Sequence, residues 1–177
     1  MNKVHYLTAP LAEEDVAGIK VGDKVFISGV IYTARDAAHK KLVNLIANKE
    51  KMPLELKDQI IFFAGPSPAR PGEPVGSIGP TTSYRMDPFS PCLLDNGLRG
   101  MIGKGKRSEE VRQAIIRNKA IYFTAIGGAA VVLSEAVKKA ELIAYPELGT
   151  EAIRKLTVEN FPCYTAIDSE GNDIFKK

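Results

Sequence analysis

An α/β fold is predicted by three features of the sequence: apolar runs of strand length recur between amphipathic stretches, helix-start residues stand just ahead of those stretches, and a Gly/Pro-rich connection separates two differently patterned halves. The 177 residues, 45% hydrophobic and 25% charged, suffice for one buried domain over 1–177, and no internal repeat or low-complexity tract divides them.

In chain order, the alternation in Lys24-Val-Phe-Ile-Ser and Val30-Ile-Tyr-Thr predicts two strands around Gly29, as at a sheet edge or barrel corner. Asp36 has N-cap chemistry, and Ala37, Ala38, Leu42, Val43, Leu45 and Ile46 form a stripe at helical spacing, so a helix is predicted over 36–47. The β-forming run 60–64 enters a loop over 65–80 that holds five prolines and four glycines. Beyond it the pattern predicts a short helix over 90–96, a strand at 101–102, a helix over 108–118 capped by Ser108 with acids in its first turn, and a strand over 120–125. A helix-like stretch covers 128–137, ahead of the apolar run 142–145. Strands are predicted at 155–158 and 163–167, and Ser169-Glu-Gly-Asn reads as a turn.

Composition excludes several function classes. Residues 1–10 carry Lys3, His5 and Tyr6 among short apolar runs, which gives no signal or transit sequence and predicts a cytoplasmic protein. No apolar stretch approaches the roughly 20 residues of a bilayer span. The net charge of +3 is spread along the chain, Trp is absent and no basic stripe is interleaved with aromatics, so neither a membrane nor a nucleic-acid partner is expected. The two cysteines, Cys92 and Cys163, form no CxxC pair or metal-spaced cluster, and a disulfide is not expected in a reducing compartment.

Four segments could carry chemistry. Gly79-Pro-Thr-Thr-Ser-Tyr-Arg-Met-Asp87 places two hydroxyls, Thr81 and Thr82, free backbone amides and the Arg85 guanidinium at a loop-to-helix junction, an arrangement suited to an anion. A plainer reading has a threonine capping a helix while Arg85 pairs with Asp87. Gly103-Lys-Gly-Lys-Arg-Ser108 sets Lys104 between a strand and a helix start, where phosphate or carboxylate would fit. It is not a Walker loop, because Arg107 stands where a Ser or Thr must hold magnesium. Arg35 closes a strand, and His39 one helical turn later could share its face, toward a site or in a structural hydrogen bond. Gly127-Gly128 permits close backbone approach or a plain turn.

Taken together and in order, these segments, with Ile126-Gly-Gly-Ala-Ala-Val-Val-Leu133, Tyr145-Pro-Glu-Leu-Gly149, Gly29-Val-Ile-Tyr-Thr-Ala-Arg-Asp-Ala-Ala-His-Lys40, Ala152-Ile-Arg-Lys-Leu-Thr-Val-Glu-Asn-Phe-Pro162 and Asp168-Ser-Glu-Gly-Asn-Asp173, resemble the β subunit of class I fumarate hydratase and tartrate dehydratase over nearly the whole chain. The resemblance implies a swivelling β/β/α domain that closes over a 4Fe-4S cluster held by an α subunit, with the pair assembling as an α2β2 heterotetramer. Such a cluster needs more thiolates than the two cysteines here supply. It further implies that Arg35, Arg85 and Thr82 bind a small dicarboxylate, that Lys104 binds it and stabilises the aci-carboxylate formed on proton removal, and that Thr81 transfers the proton. Tyr145-Pro-Glu-Leu-Gly149 and Glu159-Asn-Phe-Pro162 favour fumarate as substrate over L(+)-tartrate. A reading of a different class is a regulatory module that binds phosphate or nucleotide at the Lys104 to Arg107 cluster.

Overall fold

The computed structural model describes residues 1–125 and 130–176. In chain order they form β1 (Val4–Ala9), α1 (Glu13–Ala17), β2 (Lys24–Thr33), α2 (Asp36–Ala47), β3 (Ile60–Phe62), a 3-10 turn (Ser83–Met86), α3 (Ser90–Asp95), β4 (Gly100–Gly103), α4 (Glu109–Asn118), β5 (Ile121–Thr124), α5 (Ala130–Glu135), β6 (Val137–Ala144), a kinked 3-10 segment (Pro146–Glu151) and β7 (Ile153–Ile167).

Strands β1 to β5 run parallel as neighbours, and β7 lies antiparallel to β5, β2 and β6. Because β7 pairs with both β5 and β2, strands β2, β3, β4, β5 and β7 close a small barrel, to which β1 and β6 add outer strands. Length makes the closure possible. The ten-residue β2 takes β1 along its first half and β3 at its end, while the fifteen-residue β7 runs along its other edge.

Period-2 alternation sorts side chains into two cores. Ile60, Phe62, Ile102, Ile121 and Phe123 join Ile27, Ile31, Leu156 and Phe161 in one cluster. Their neighbours Ile61, Phe63, Met101 and Tyr122 belong to the second, with Ala38 and Leu42 of α2, Leu93 and Leu94 of α3 and Val111, Ala114 and Ile115 of α4. The barrel therefore has a filled interior and a helix-covered face.

The two strands predicted around Gly29 are one strand whose pairing with β7 shifts between Ile27 and Gly29. Gly29 has φ +105°, and a Cβ there would collide with the Ala9 carbonyl, so glycine lets β1 end against the shift. The predicted tail strands are likewise one strand, bulged where Asn160 (φ +49°) donates its amide to Ser28 Oγ at 3.0 Å. The helices over 36–47, 90–96 and 108–118 form within a residue of expectation, and Ser108 Oγ caps α4 by accepting from the Val111 amide at 3.3 Å. The run predicted as helix-like over 128–137 ends at Glu135, and β6 takes over at Val137. The Gly127-Gly128 pair lies outside the described residues. No helix among the described residues is long and apolar enough to cross a membrane.

The outer strand β1 is pinned by Asp23, whose buried carboxylate accepts from the Lys3 and Lys20 amides at 2.9 and 3.0 Å and meets His5 Nε2 at 2.8 Å. Burial alone would favour the neutral acid, but these partners hold the carboxyl down to about 2.

Candidate active site at the carboxyl ends of the parallel strands

In open α/β sheets ligands collect where parallel strands end, because chain turns there present side chains and free amides together. Each predicted site residue sits at this edge. Arg35 follows β2 and precedes α2, Lys104 follows β4, and Thr82 pairs with Lys104 as a short parallel extension of the sheet. The extension is fixed by backbone bonds: the Thr81 amide donates to the Phe63 carbonyl at 2.7 Å and the Ser83 amide to the Lys104 carbonyl at 2.9 Å. Arg85 follows on the 3-10 turn.

Two glycines make the approach possible. A Cβ at Gly103 would collide with Ser83 Oγ and stand 2.8 Å from Phe63 Cδ2, so only glycine lets β4 lie against the threonine segment. A Cβ at Gly65 would stand 2.7 Å from the Thr150 carbonyl oxygen and 3.2 Å from Arg35 Cδ, so its absence leaves room for the Arg35 side chain.

Asp36 is not the N-cap expected of it. Arg35, extended at φ −112° and ψ −166°, holds that position, and Asp36 is the first helical residue. Its carboxylate therefore reaches outward and accepts from Arg85 Nε at 2.9 Å, while the Glu151 carboxylate accepts from the Ala37 amide at 3.4 Å and supports the start of α2. The pairing of Arg85 with Asp87 is thereby replaced. Asp87 instead holds Arg107, whose wholly buried guanidinium donates from Nε to Asp87 Oδ1 at 2.7 Å and from Nη2 to Ser90 Oγ at 2.7 Å, and lies over the rings of Phe63 and Tyr122 at 5.2 and 4.8 Å. The other Asp87 oxygen accepts from the Ser108 amide at 2.7 Å. Arg107 is thus absent from the surface, and the Lys104 to Arg107 cluster proposed for phosphate offers solvent only Lys104 and Lys106.

Beneath the site Tyr122 donates to the Gly105 carbonyl at 2.8 Å. Its single proton is then committed, and Ser83 donates to the phenol oxygen at 2.7 Å. Burial pushes the phenol up to about 12, so it stays protonated as a strut.

His39 is buried against Phe63 and Phe89, with ring centroids 5.2 and 6.2 Å away, and its Nδ1 lies 2.8 Å from the Arg35 carbonyl. A carbonyl only accepts, so Nδ1 carries the proton and Nε2 is a bare lone pair without a partner among the described residues. Burial drives the ring down to about 4, with nearby Arg107 adding to the effect, against the opposing pull of the Arg35 carbonyl and Asp36. Because the folded value lies below the ordinary 6.5, the neutral ring's contribution is fully present above that pH and is lost as pH falls through 4. In urea denaturation, stability should fall by roughly 2–3 kcal/mol more in the native protein than in His39→Gln between pH 7 and pH 4. Equal losses in the two would refute the assignment.

The polar groups left unspent are informative. Among the described residues the Arg35 guanidinium, the Lys104 ammonium and the Thr81 and Thr82 hydroxyls make no hydrogen bond, and Arg85 makes only its Nε bond to Asp36. Arg35 Nε is buried without a partner, with Asp36 Oδ1, also unpartnered, 4.0 Å away. Among the described residues Asp36 is the one carboxylate within ion-pair distance of any of the three cations, so three cations and two hydroxyls keep most of their capacity for an anion. Clefts of about 430 and 440 Å³ flank residues 65–80 and are lined by none of these five residues.

The donor set for an iron-sulfur cluster does not fit. Among the described residues no three His, Cys, Asp or Glu side chains gather as ligands. Cys163 is buried in the barrel core, where burial pushes its thiol far up, and burial together with the Asp95 charge raises Cys92.

A family model described as Fumarase C-terminus matches residues 1–177. The anaerobic class I fumarate hydratase of Escherichia coli is 42% identical over 159 residues, which cover 89% of this chain and 29% of that protein. Fumarate hydratase 2 of Leishmania major is 37% identical over 159 residues, 89% of this chain and 28% of that protein. A Methanocaldococcus jannaschii protein assigned as an L(+)-tartrate dehydratase subunit beta is 36% identical over 180 residues, 98% of this chain and 92% of its own length. The chain spans under a third of these fumarate hydratases and nearly all of the subunit. The chain belongs to the Fumarase C-terminus family, whose model covers its whole length.

Proposed function

We propose that the chain is the β subunit of a two-subunit hydro-lyase that interconverts fumarate and L-malate. The observation that carries this reading is the set of unspent cations, Arg35, Arg85 and Lys104, beside the free hydroxyls of Thr81 and Thr82 at one strand edge. A dicarboxylate uses such a set well: the guanidinium groups take one carboxylate through paired N–H donors, and Thr82 adds a hydrogen bond. Lys104, a compact charge, stabilises the aci-carboxylate that develops as a proton leaves the adjacent carbon. Thr81 holds or moves that proton, and the nearby cations favour its alkoxide character in the transition state.

The 4Fe-4S cluster belongs in this reading to an α subunit, where it supplies Lewis-acid chemistry at the substrate hydroxyl. Residues 1–177 act as one swivelling β/β/α domain that closes on the α subunit, and two such pairs assemble as α2β2 in the cytoplasm. L(+)-tartrate is the competing substrate, favoured by the subunit-length relative that carries that name.

The test is anaerobic co-expression with the larger subunit, followed by turnover of fumarate, L-malate and L(+)-tartrate with this chain present or omitted. Interconversion of fumarate and malate only when both chains are present is expected. Tartrate turnover alone would correct the substrate. Turnover undiminished without this chain, or none with both, would overturn the reading.

A further inference from the structure

We propose that Asp36 is a positioning residue that holds the two carboxylate-binding arginines in register, an inference that rests on the reading of Arg35 and Arg85 as substrate ligands. Its Oδ2 accepts from Arg85 Nε at 2.9 Å, and its Oδ1 stands 4.0 Å from Arg35 Nε, with both of the latter atoms buried and otherwise unpartnered among the described residues. One carboxylate thus sits between two guanidinium groups that would otherwise repel each other.

Arg85 has no other tie among the described residues, and its side chain is 46% exposed. Without an anchor, a side chain this long and open populates many rotamers, which binding would have to order again. Anchoring through Nε removes that cost and leaves Nη1 and Nη2, the end of the fork that meets a carboxylate with two parallel bonds. The anchor is itself fixed. Asp36 is the first residue of the twelve-residue α2, and one turn on, His39 Nδ1 donates to the Arg35 carbonyl at 2.8 Å, tying the preceding residue to the same helix.

The sign of the effect separates positioning from simple charge. Asp36 is the carboxylate that faces both arginines, so if it acted only through its field, its removal would make the edge more positive and tighten binding of a dianion. A positioning carboxylate predicts the opposite, weaker binding when it is neutralised.

The experiment uses the complete α–β enzyme, with fumarate and L-malate as substrates and four variants: Asp36→Asn, Asp36→Ser, Arg85→Gln, and Asp36→Asn combined with Arg85→Gln. Asn keeps the shape of the side chain, and Ser suits a helix start without charge, so at least one of the two should fold as the native protein does. KM is expected to rise about ten-fold in both Asp36 variants with kcat within about three-fold, the pattern of lost uniform binding from a charge-assisted bond. In the Arg85→Gln background, Asp36→Asn should add less than about two-fold, because its action runs through that arginine. An unchanged or lowered KM in the Asp36 variants, or effects that multiply in the double variant, overturns the proposal while leaving the dicarboxylate reading intact. A native complex that turns over none of fumarate, L-malate and L(+)-tartrate overturns both.

Discussion

Arg35→Met is expected to raise the chain's resistance to urea while lowering dicarboxylate turnover in the assembled enzyme by about a hundred- to a thousand-fold. The two halves have one cause. Arg35 keeps its Nε buried with no acceptor, and its guanidinium makes no hydrogen bond among the described residues, so folding strips water from that N–H and returns no acceptor for it. An unsatisfied buried donor costs about 1–3 kcal/mol, and Met keeps the length and apolar stem without that cost, so a gain of about 1 kcal/mol is expected. Catalysis loses because a carboxylate that meets Arg35 in a closed site would face no partner there. Sites that hold strain or unmet polar groups for a ligand characteristically trade stability for activity. A destabilised Arg35→Met chain, or turnover within about three-fold of native, would show that Arg35 serves the fold instead.

Much of this architecture was legible in the sequence where local and tertiary demands agree. The stripe of α2, the Ser108 cap of α4 and the apolar runs of β3, β4 and β5 each satisfy their own periodicity and a core position at once. What escaped had tertiary causes. Residues 137–144, Val-Lys-Lys-Ala-Glu-Leu-Ile-Ala, are helix formers by propensity, yet they lie along the free edge of β7 as a strand, because an unpaired edge gains more from a neighbour than those residues lose in leaving a helix. Among the described residues β1 pairs with β2 alone, and it exposes Val4 and Tyr6, so its pattern lacks the apolar face that marks a strand.

The site divides in the same way. Arg35, Thr81, Thr82, Arg85 and Lys104 were recognisable as residue types at a loop and a strand end, and the fold brings those segments to one edge. Their internal partners were not recognisable, because they depend on which charge faces which. Asp36 and Asp87 stand near Arg35 and Arg85 in sequence, but a one-residue shift in the start of α2 sends Asp36 to Arg85 and frees Asp87 for Arg107. The signal that could have warned of this was the Arg-Ser pair before α4, where an arginine at the end of a tight glycine loop is poorly placed to remain at the surface.

Arg107 carries the second large prediction. Its side chain is fully buried, and its donors are spent on Asp87 Oδ1, Ser90 Oγ and Met101 Sδ, at 2.7, 2.7 and 3.4 Å, between two aromatic faces. Arg107→Met should cost about 3–5 kcal/mol in urea denaturation, since breaking a buried pair leaves Asp87 with its charge facing a void. Arg107→Lys should recover little of it, because one ammonium cannot span Asp87 and Ser90 while filling the space between Phe63 and Tyr122. Combining Arg107→Met with Asp87→Asn should restore part of the loss: the uncompensated charge is gone, and the Asn oxygen can still accept from the Ser108 amide. The same bonds join the loop that follows Lys104 to the turn that carries Arg85. Loosening them should therefore raise the dicarboxylate KM even at temperatures where the variant is folded. A loss under about 1 kcal/mol with an unchanged KM would mean that the backbone pairing of Thr82 with Lys104 holds the two segments together by itself.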